Sequence, residues 1–203
     1  RERWQGRAHG ATGQPVMQGD GAERVPNEIC TSVDIHNNVI GCISRAQLRS
    51  DNCLHRATYI YVHNPSKTQL LVQRRTSTKD YCPNMLDPCF GGVVAYPESY
   101  EQNAIRELRE EIGLPSTSLV RSGITELYED ESTRVFGDVW TAEFTGDIGS
   151  MTLQAEEVAS VSWMNIDDVL CGNPNRQPDG FTPDAVFFLR LLVDRSKMFG
   201  IAI

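Results

Sequence analysis

The sequence predicts an α/β sandwich, and three observations carry that expectation. Residues 54–62 and 69–75 are rich in β-branched, aromatic and aliphatic side chains and are separated by Asn64-Pro65-Ser66, the composition of two strands and a turn. Residues 99–113 are dominated by Glu, Leu, Arg, Ala and Gln, all good helix formers. Residues 183–197 carry Val186, Leu189 and Val193 among polar residues, as in a helix that buries one face. Strands arranged around two or more helices make a layered α/β architecture.

The other elements follow in order. Residues 1–27 are rich in Gly, Gln and Pro, lack an apolar period, and read as an extension without a fold of its own. If it is ordered, a partner surface or a larger assembly holds it, and a homodimer is also open. Residues 28–203 form the domain. Residues 32–36 and 39–43 read as a hairpin about Asn37-Asn38. Residues 44–49 form a short helix capped by Ser44, and residues 89–95 a strand. Residues 119–128 and 133–144 are antiparallel strands joined by the acidic turn Glu129-Asp130-Glu131. Residues 157–163 are a further strand, residues 165–170 a short helix and residues 172–180 a loop. Thr182-Pro183 makes a good N-cap and first position for the last helix.

Composition bounds the function. A length of 203 residues suits one domain with a tail, and 40% apolar residues can build a core. A net charge of −8 argues against non-specific nucleic-acid binding, which needs a basic surface. It also means that an anionic substrate needs local help from metal and arginines. No apolar run reaches the roughly 18 residues of a membrane span. The six cysteines, Cys30, Cys42, Cys53, Cys82, Cys89 and Cys171, show no CxxC pair and no zinc spacing, so free thiols in a reducing compartment are expected. Arg1, Arg3 and Arg7 form a weak transit-like signal, which leaves cytoplasm, mitochondrion and plastid open.

The stretch from Gly92 to Leu114, GVVAYPESYEQNAIRELREEIGL, carries the chemistry. Ser99 with Gln102 three residues later forms a capping box, and Gly113 followed by Pro115 ends the helix. Ile105, Leu108 and Ile112 share an apolar stripe. Glu107, Glu110 and Glu111, at i, i+3 and i+4, share an acidic face. Like charges at that spacing destabilise an isolated helix by about 0.2–0.5 kcal/mol per pair. A hard divalent cation such as magnesium, bound through oxygen with room left for water and phosphate, is the simplest reason to keep them together.

The register of these residues resembles the Nudix box: glycine, five residues, glutamate, seven residues, then Arg-Glu, an aliphatic, any residue, Glu-Glu, any residue, glycine and an aliphatic. Gly92, Glu98, Arg106, Glu107, Leu108, Glu110, Glu111, Gly113 and Leu114 meet every fixed position. The resemblance covers residues 30–198. It implies an α/β/α sandwich with a mixed central sheet and a hydrolase acting on a diphosphate linked to another group, with magnesium or manganese as cofactor. It further implies that Glu107, Glu110 and Glu111 are metal ligands, with the Gly92 carbonyl as a further one. Glu98 orients Arg106, and one of the carboxylates is the base for the attacking water. The residues themselves do not choose that base, because like charges couple their titrations.

Outside the box, Arg74 and Arg75 end a strand. Alternation sends them to opposite faces, so one is expected to bind phosphate and the other to lie on the surface. Lys79 is expected to be solvated, and Glu156 and Glu157 stand equally for a ligand or an exposed loop pair. His55 reads first as a satisfied strand histidine, and Trp163 and Phe136 as core.

The segments VDIHNNVIGCISRAQL, LHRATYIYVHN and LLVQRRTSTKDYCPNMLDPCFGGVVAYPES resemble the isopentenyl-diphosphate isomerase-like branch of Nudix proteins. Isomerases of that branch place a cysteine directly before the box glycine and a histidine directly after it, where this chain has Gly91 and Val93, with Cys89 two residues earlier than Gly91. The box is whole, so a hydrolase is favoured over an isomerase. A non-catalytic subunit of an assembly is the third reading, and three adjacent glutamates count against it.

Overall fold

A computed structural model of the chain describes residues 28–172 and 180–199. In chain order the elements are β1 (Ile29–Val33), β2 (Val39–Ser44), α1 (Arg45–Ser50), β3 (His55–His63), β4 (Gln69–Arg75), β5 (Leu86–Asp87) and α2 (Tyr100–Ile112). They continue with β6 (Leu119–Glu129), β7 (Arg134–Glu143), β8 (Val158–Asn165), α3 (Ile166–Cys171) and α4 (Pro183–Phe199). The predicted extension, residues 1–27, and most of the loop at 172–180 lie outside the described residues.

The β3–β4 hairpin organises the fold by splitting. Asn64 closes its turn, where its Oδ1 accepts the Thr68 and Gln69 N–H groups. The two strands pair at His63 and Leu70 and then diverge. The free side of β3 takes β7 in parallel, in register from His55 with Val135 to His63 with Glu143, and β6 adds antiparallel to β7. The free side of β4 takes β8 antiparallel. The eight strands therefore form one mixed, branched sheet, and the α/β expectation holds.

Side-chain alternation on β3 then defines two cores. Tyr59 and Tyr61 face Phe188 and Leu189 of α4, while Ile60 and Val62 face Leu108 and Ile112 of α2. A strand covered on both sides must be nearly continuous in apolar residues, which is how residues 54–62 read. Burying each of Leu108 and Ile112 contributes about 1.5–3 kcal/mol.

Most element ends agree with their local signals. Ser44 caps α1 by accepting the Gln47 N–H. Ser99 and Gln102 form the reciprocal capping box of α2, and Gly113 ends it in the left-handed region at φ 72°. Other expectations change. The first hairpin turns over residues 34–38 rather than over two asparagines, because Asp34 draws the chain around itself by accepting the His36 and Asn38 N–H groups. Residues 89–95 are not a regular strand. Phe90 and Ile60 exchange backbone bonds of 2.9 and 2.8 Å, and Val94 N–H donates to the Arg56 carbonyl. Between them Gly91, at φ 113°, breaks the ladder.

The apolar stripe of α2 is also rotated. Ile105 is 39% exposed, and Ala104, Leu108 and Ile112 are the residues packed on the sheet. On α4 the buried set is Ala185, Phe188, Leu189, Leu192 and Val193, with Val186 half-buried. No helix among the described residues is long and apolar enough to cross a membrane.

Phe188 is fully buried against the Tyr59 ring, centroid to centroid 4.3 Å. Phe188→Ala should cost about 3–5 kcal/mol, read in chemical denaturation as a lower midpoint at unchanged slope. A loss below about 1 kcal/mol, the typical effect of an arbitrary substitution, would show that α4 does not dock there.

Candidate active site

Two successive glycines let α2 descend onto the chain. A Cβ on Gly91 would overlap the Thr58 carbonyl, and one on Gly92 would lie 2.9 Å from Glu107 Oε1. With both bare, Gly91 N–H donates to Glu111 Oε2 at 2.8 Å. Asn103, one turn before Glu107 and fully buried, fixes the approach. It accepts the Thr58 hydroxyl at 2.6 Å and donates to the Val93 carbonyl at 3.2 Å. Asn103 is not among the residues the sequence points to, and its one signal there is a polar side chain four positions before Glu107.

The acidic face is divided by this docking. Glu107 is 8% exposed and Glu111 1%, while Glu110 lies outside. Burial pushes the Glu111 carboxyl well above its ordinary value, and the Glu107 charge adds to the effect. Burial likewise raises Glu107 to about 7, with Arg106 and Lys79 opposing and Glu157 and Glu110 reinforcing. Two buried carboxylates side by side are costly until a cation joins them.

Arg106 holds the flank. Its Nε and Nη2 donate to both oxygens of Glu98 at 2.9 and 3.0 Å, a bidentate pair. Its Nη1 reaches Glu110 Oε2 at 2.9 Å and Glu107 Oε1 at 3.1 Å. The loop carrying Glu98 is thereby tied to the helix carrying the other three glutamates.

Among the described residues no three His, Cys, Asp or Glu side chains converge closely enough to hold a metal by themselves. Magnesium is ordinarily held by one or two carboxylates with waters and substrate phosphates completing its shell. Glu107 and Glu111, hard oxygen donors buried at elevated pKa beside the glycines, fit that pattern. Glu110 is held by Arg106, and the Gly92 carbonyl accepts the Thr58 N–H at 3.0 Å.

Arg75 and Arg74 do point apart. Arg75 is buried, pairs with Asp87 at 3.0 Å and donates to the Tyr81 carbonyl, while Arg74 donates to the Asn84 carbonyl. Lys79 is not simply solvated. It is mostly buried in an ion pair with Glu157, on the strand-entry side of β8. The Glu156 side chain is exposed, and its backbone carbonyl accepts the Thr76 hydroxyl. His55 is buried and satisfied by the Cys53 carbonyl at 2.9 Å. Cys89 is buried with its thiol on Asp87, and burial pushes that thiol well up in pKa. Trp163 is partly buried against the α2-side core. Arg75, Lys79, Cys89, Gly91 and Gly92 line one cavity of about 60 Å³ beside the glutamates. Asp184, Tyr59 and Tyr81 line it too, none of them singled out from sequence.

The sequence matches the NUDIX domain family model over residues 54–185. It is 38% identical over 165 residues to an uncharacterised Nudix hydrolase of Yersinia pestis, covering 81% of this chain and 85% of that protein. It is 37% identical over 164 residues to the uncharacterised Nudix hydrolase YfcD of Escherichia coli (strain K12), covering 81% and 86%. Among solved structures it resembles DR0079 from Deinococcus radiodurans with a TM-score of 0.63 at 23% identity, over 81% of this chain and 99% of that one, a likeness of fold.

His55 gives a pH prediction. Burial lowers its pKa from 6.5 to about 4 in the folded chain. Below pH 6.5 the unfolded chain takes up a proton that the folded chain refuses, so stability falls as pH drops and the loss is complete near pH 4. Relative to His55→Asn, wild type should lose up to about 3 kcal/mol across that window in denaturation at stepped pH. Parallel stability curves would show that His55 protonates freely in the folded state.

Proposed function

Since the chain belongs to the Nudix hydrolase family, we propose that it hydrolyses a diphosphate linkage in a nucleoside diphosphate derivative or a similar small molecule, with magnesium or manganese as cofactor. The observation that carries this reading is the pair Glu107 and Glu111, buried against Gly91 and Gly92 with Gly91 N–H on Glu111. A scaffold has no use for two carboxylates desolvated in this way, and the isomerase reading has no comparable observation behind it.

In this reading Glu107 and Glu111 hold the divalent cation, and Glu110 joins them by exchanging its contact with Arg106. When bound, the cation neutralises phosphate charge and lowers the pKa of the attacking water. The proton of that water goes to a carboxylate oxygen of Glu107 or Glu110. Arg106, clamped by Glu98, stays beside Glu107 and orients it. Arg75 and Lys79, at the adjoining cavity, offer positive charge to the diphosphate. Both already have acidic partners, so substrate binding trades one anion for another rather than burying a new bare charge.

A panel of diphosphate compounds assayed for phosphate or nucleotide release, with and without magnesium, tests this function. Turnover should need the metal, and Glu111→Gln should cut it by orders of magnitude while the circular dichroism spectrum stays unchanged. Full activity in Glu111→Gln, or turnover indifferent to chelator, would refute the metal assignment.

A further inference from the structure

Arg45, Arg49, Arg75 and Lys79 all line the cavity beside Gly91 and Gly92. In a chain of net charge −8 such a cluster is a place for an anion. Each of these cations is matched by an acid: Arg45 by Glu28 and Asp80, Arg49 by Asp80, Arg75 by Asp87 and Lys79 by Glu157. Substrate phosphates entering this space therefore compete with acids already there.

The acids are not equally able to give way. Asp87 is buried and also accepts the Cys89 N–H and thiol. Glu28 and Glu157 stand at the entries to β1 and β8, where their backbone carbonyls accept the Arg45 and Thr76 N–H groups. Asp80 is exposed, sits on the irregular segment 76–85 between β4 and β5, and holds two of the cations at once. Arg45 donates to it through Nε at 2.8 Å and Nη2 at 3.1 Å, and Arg49 through Nε at 3.3 Å. Burial alone would raise its carboxyl, but the Arg45 hydrogen bonds and the charges of both arginines hold it well below the ordinary carboxylate range.

Residues 79–81 thereby form a strap across one side of the cavity. Lys79 ties it to Glu157, Asp80 ties it to α1, and the Tyr81 carbonyl accepts Arg75 Nε and Nη2. The Arg49 guanidinium also lies over the Tyr81 ring, 5.2 Å from its centroid. Just beyond, Cys82 and Asn84 stand at φ 47° and 62°, conformations that residues other than glycine hold only where their surroundings compel them. With the strap shut, the cavity measures about 60 Å³, room for a handful of waters, whereas small-molecule sites run from about 300 to 1,000 Å³. A diphosphate reaches these cations only if the strap lifts.

We propose that Asp80 is an internal competitor of the substrate: its carboxylate occupies the Arg45 and Arg49 guanidinium groups in the free chain, holds residues 79–81 down, and is displaced by the anionic part of the substrate. The proposal rests on the hydrolase reading for that anion. The apparent affinity for substrate is then the intrinsic affinity reduced by the fraction of molecules in which Asp80 has let go. Because the competition acts on binding and not on the reacting atoms, it enters KM and not kcat.

Calorimetry of methylenediphosphonate, whose bridge cannot be hydrolysed, with magnesium on the whole chain tests this. Asp80→Asn keeps the size of the side chain and removes its charge, and it should tighten binding at least about fivefold. The KM for a hydrolysed diphosphate compound should fall by a similar factor at unchanged kcat. An Asp80 that only braces the two arginines would give the opposite sign. Weaker or equal binding in Asp80→Asn, or binding to neither protein, would overturn the proposal. Tighter binding with turnover of no diphosphate compound would retire the hydrolase and keep the competitor. Turnover in wild type at a KM that Asp80→Asn leaves unchanged would do the reverse.

Discussion

The close approach of α2 to residues 91–92 is the constraint on which the structure depends. It requires two residues without Cβ, at φ 113° in one case and within van der Waals reach of a carboxylate in the other. It requires Asn103 to join helix, strand β3 and the irregular segment through hydrogen bonds to Thr58 and Val93. It also requires the fold to bury Glu107 and Glu111 at a desolvation cost, which Leu108 and Ile112, on the same helix, offset by filling the core beneath. A helix docked only for stability would carry apolar residues at all four positions.

The splitting of the β3–β4 hairpin makes room for this arrangement. Were β3 and β4 paired along their whole length, residues 90–95 could not reach the backbone of β3, and the glycines would have no seat. The same opening brings β5, the loop around Tyr81 and the first turn of α4 to one place. The cavity is thus a by-product of the topology, with the acidic helix face on one side and a polar wall on the other. Its inner residues are bonded to one another, Arg75 and Cys89 through Asp87, and Asp184 accepts the Tyr59 hydroxyl.

What could be read from the sequence was local. The ends of α2 follow from Ser99, Gln102 and Gly113, because capping is decided within one turn of chain. The strands β3 and β4 follow from composition, and the Arg74–Arg75 alternation from the pleat. Facing was less legible. Ile105 turns outward because Asn103 and Ala104, small or polar, take the contact with the sheet. Residues 89–95 depart from a strand because Gly91 adopts a conformation that other residues avoid. Lys79 is buried by Glu157, a partner 78 positions away. The convergence of Tyr59, Tyr81 and Asp184 depends on three separate elements, and no spacing rule connects them.

The central claim is that Glu107 and Glu111 are buried as they are because a divalent cation joins them. Manganese titrated into the metal-free protein and followed by electron paramagnetic resonance tests that claim without reference to any substrate. The account predicts a bound ion in wild type, competed by magnesium, and its loss in Glu107→Gln and in Glu111→Gln. Undiminished manganese binding in both variants would place the metal elsewhere and leave the two buried glutamates without an explanation.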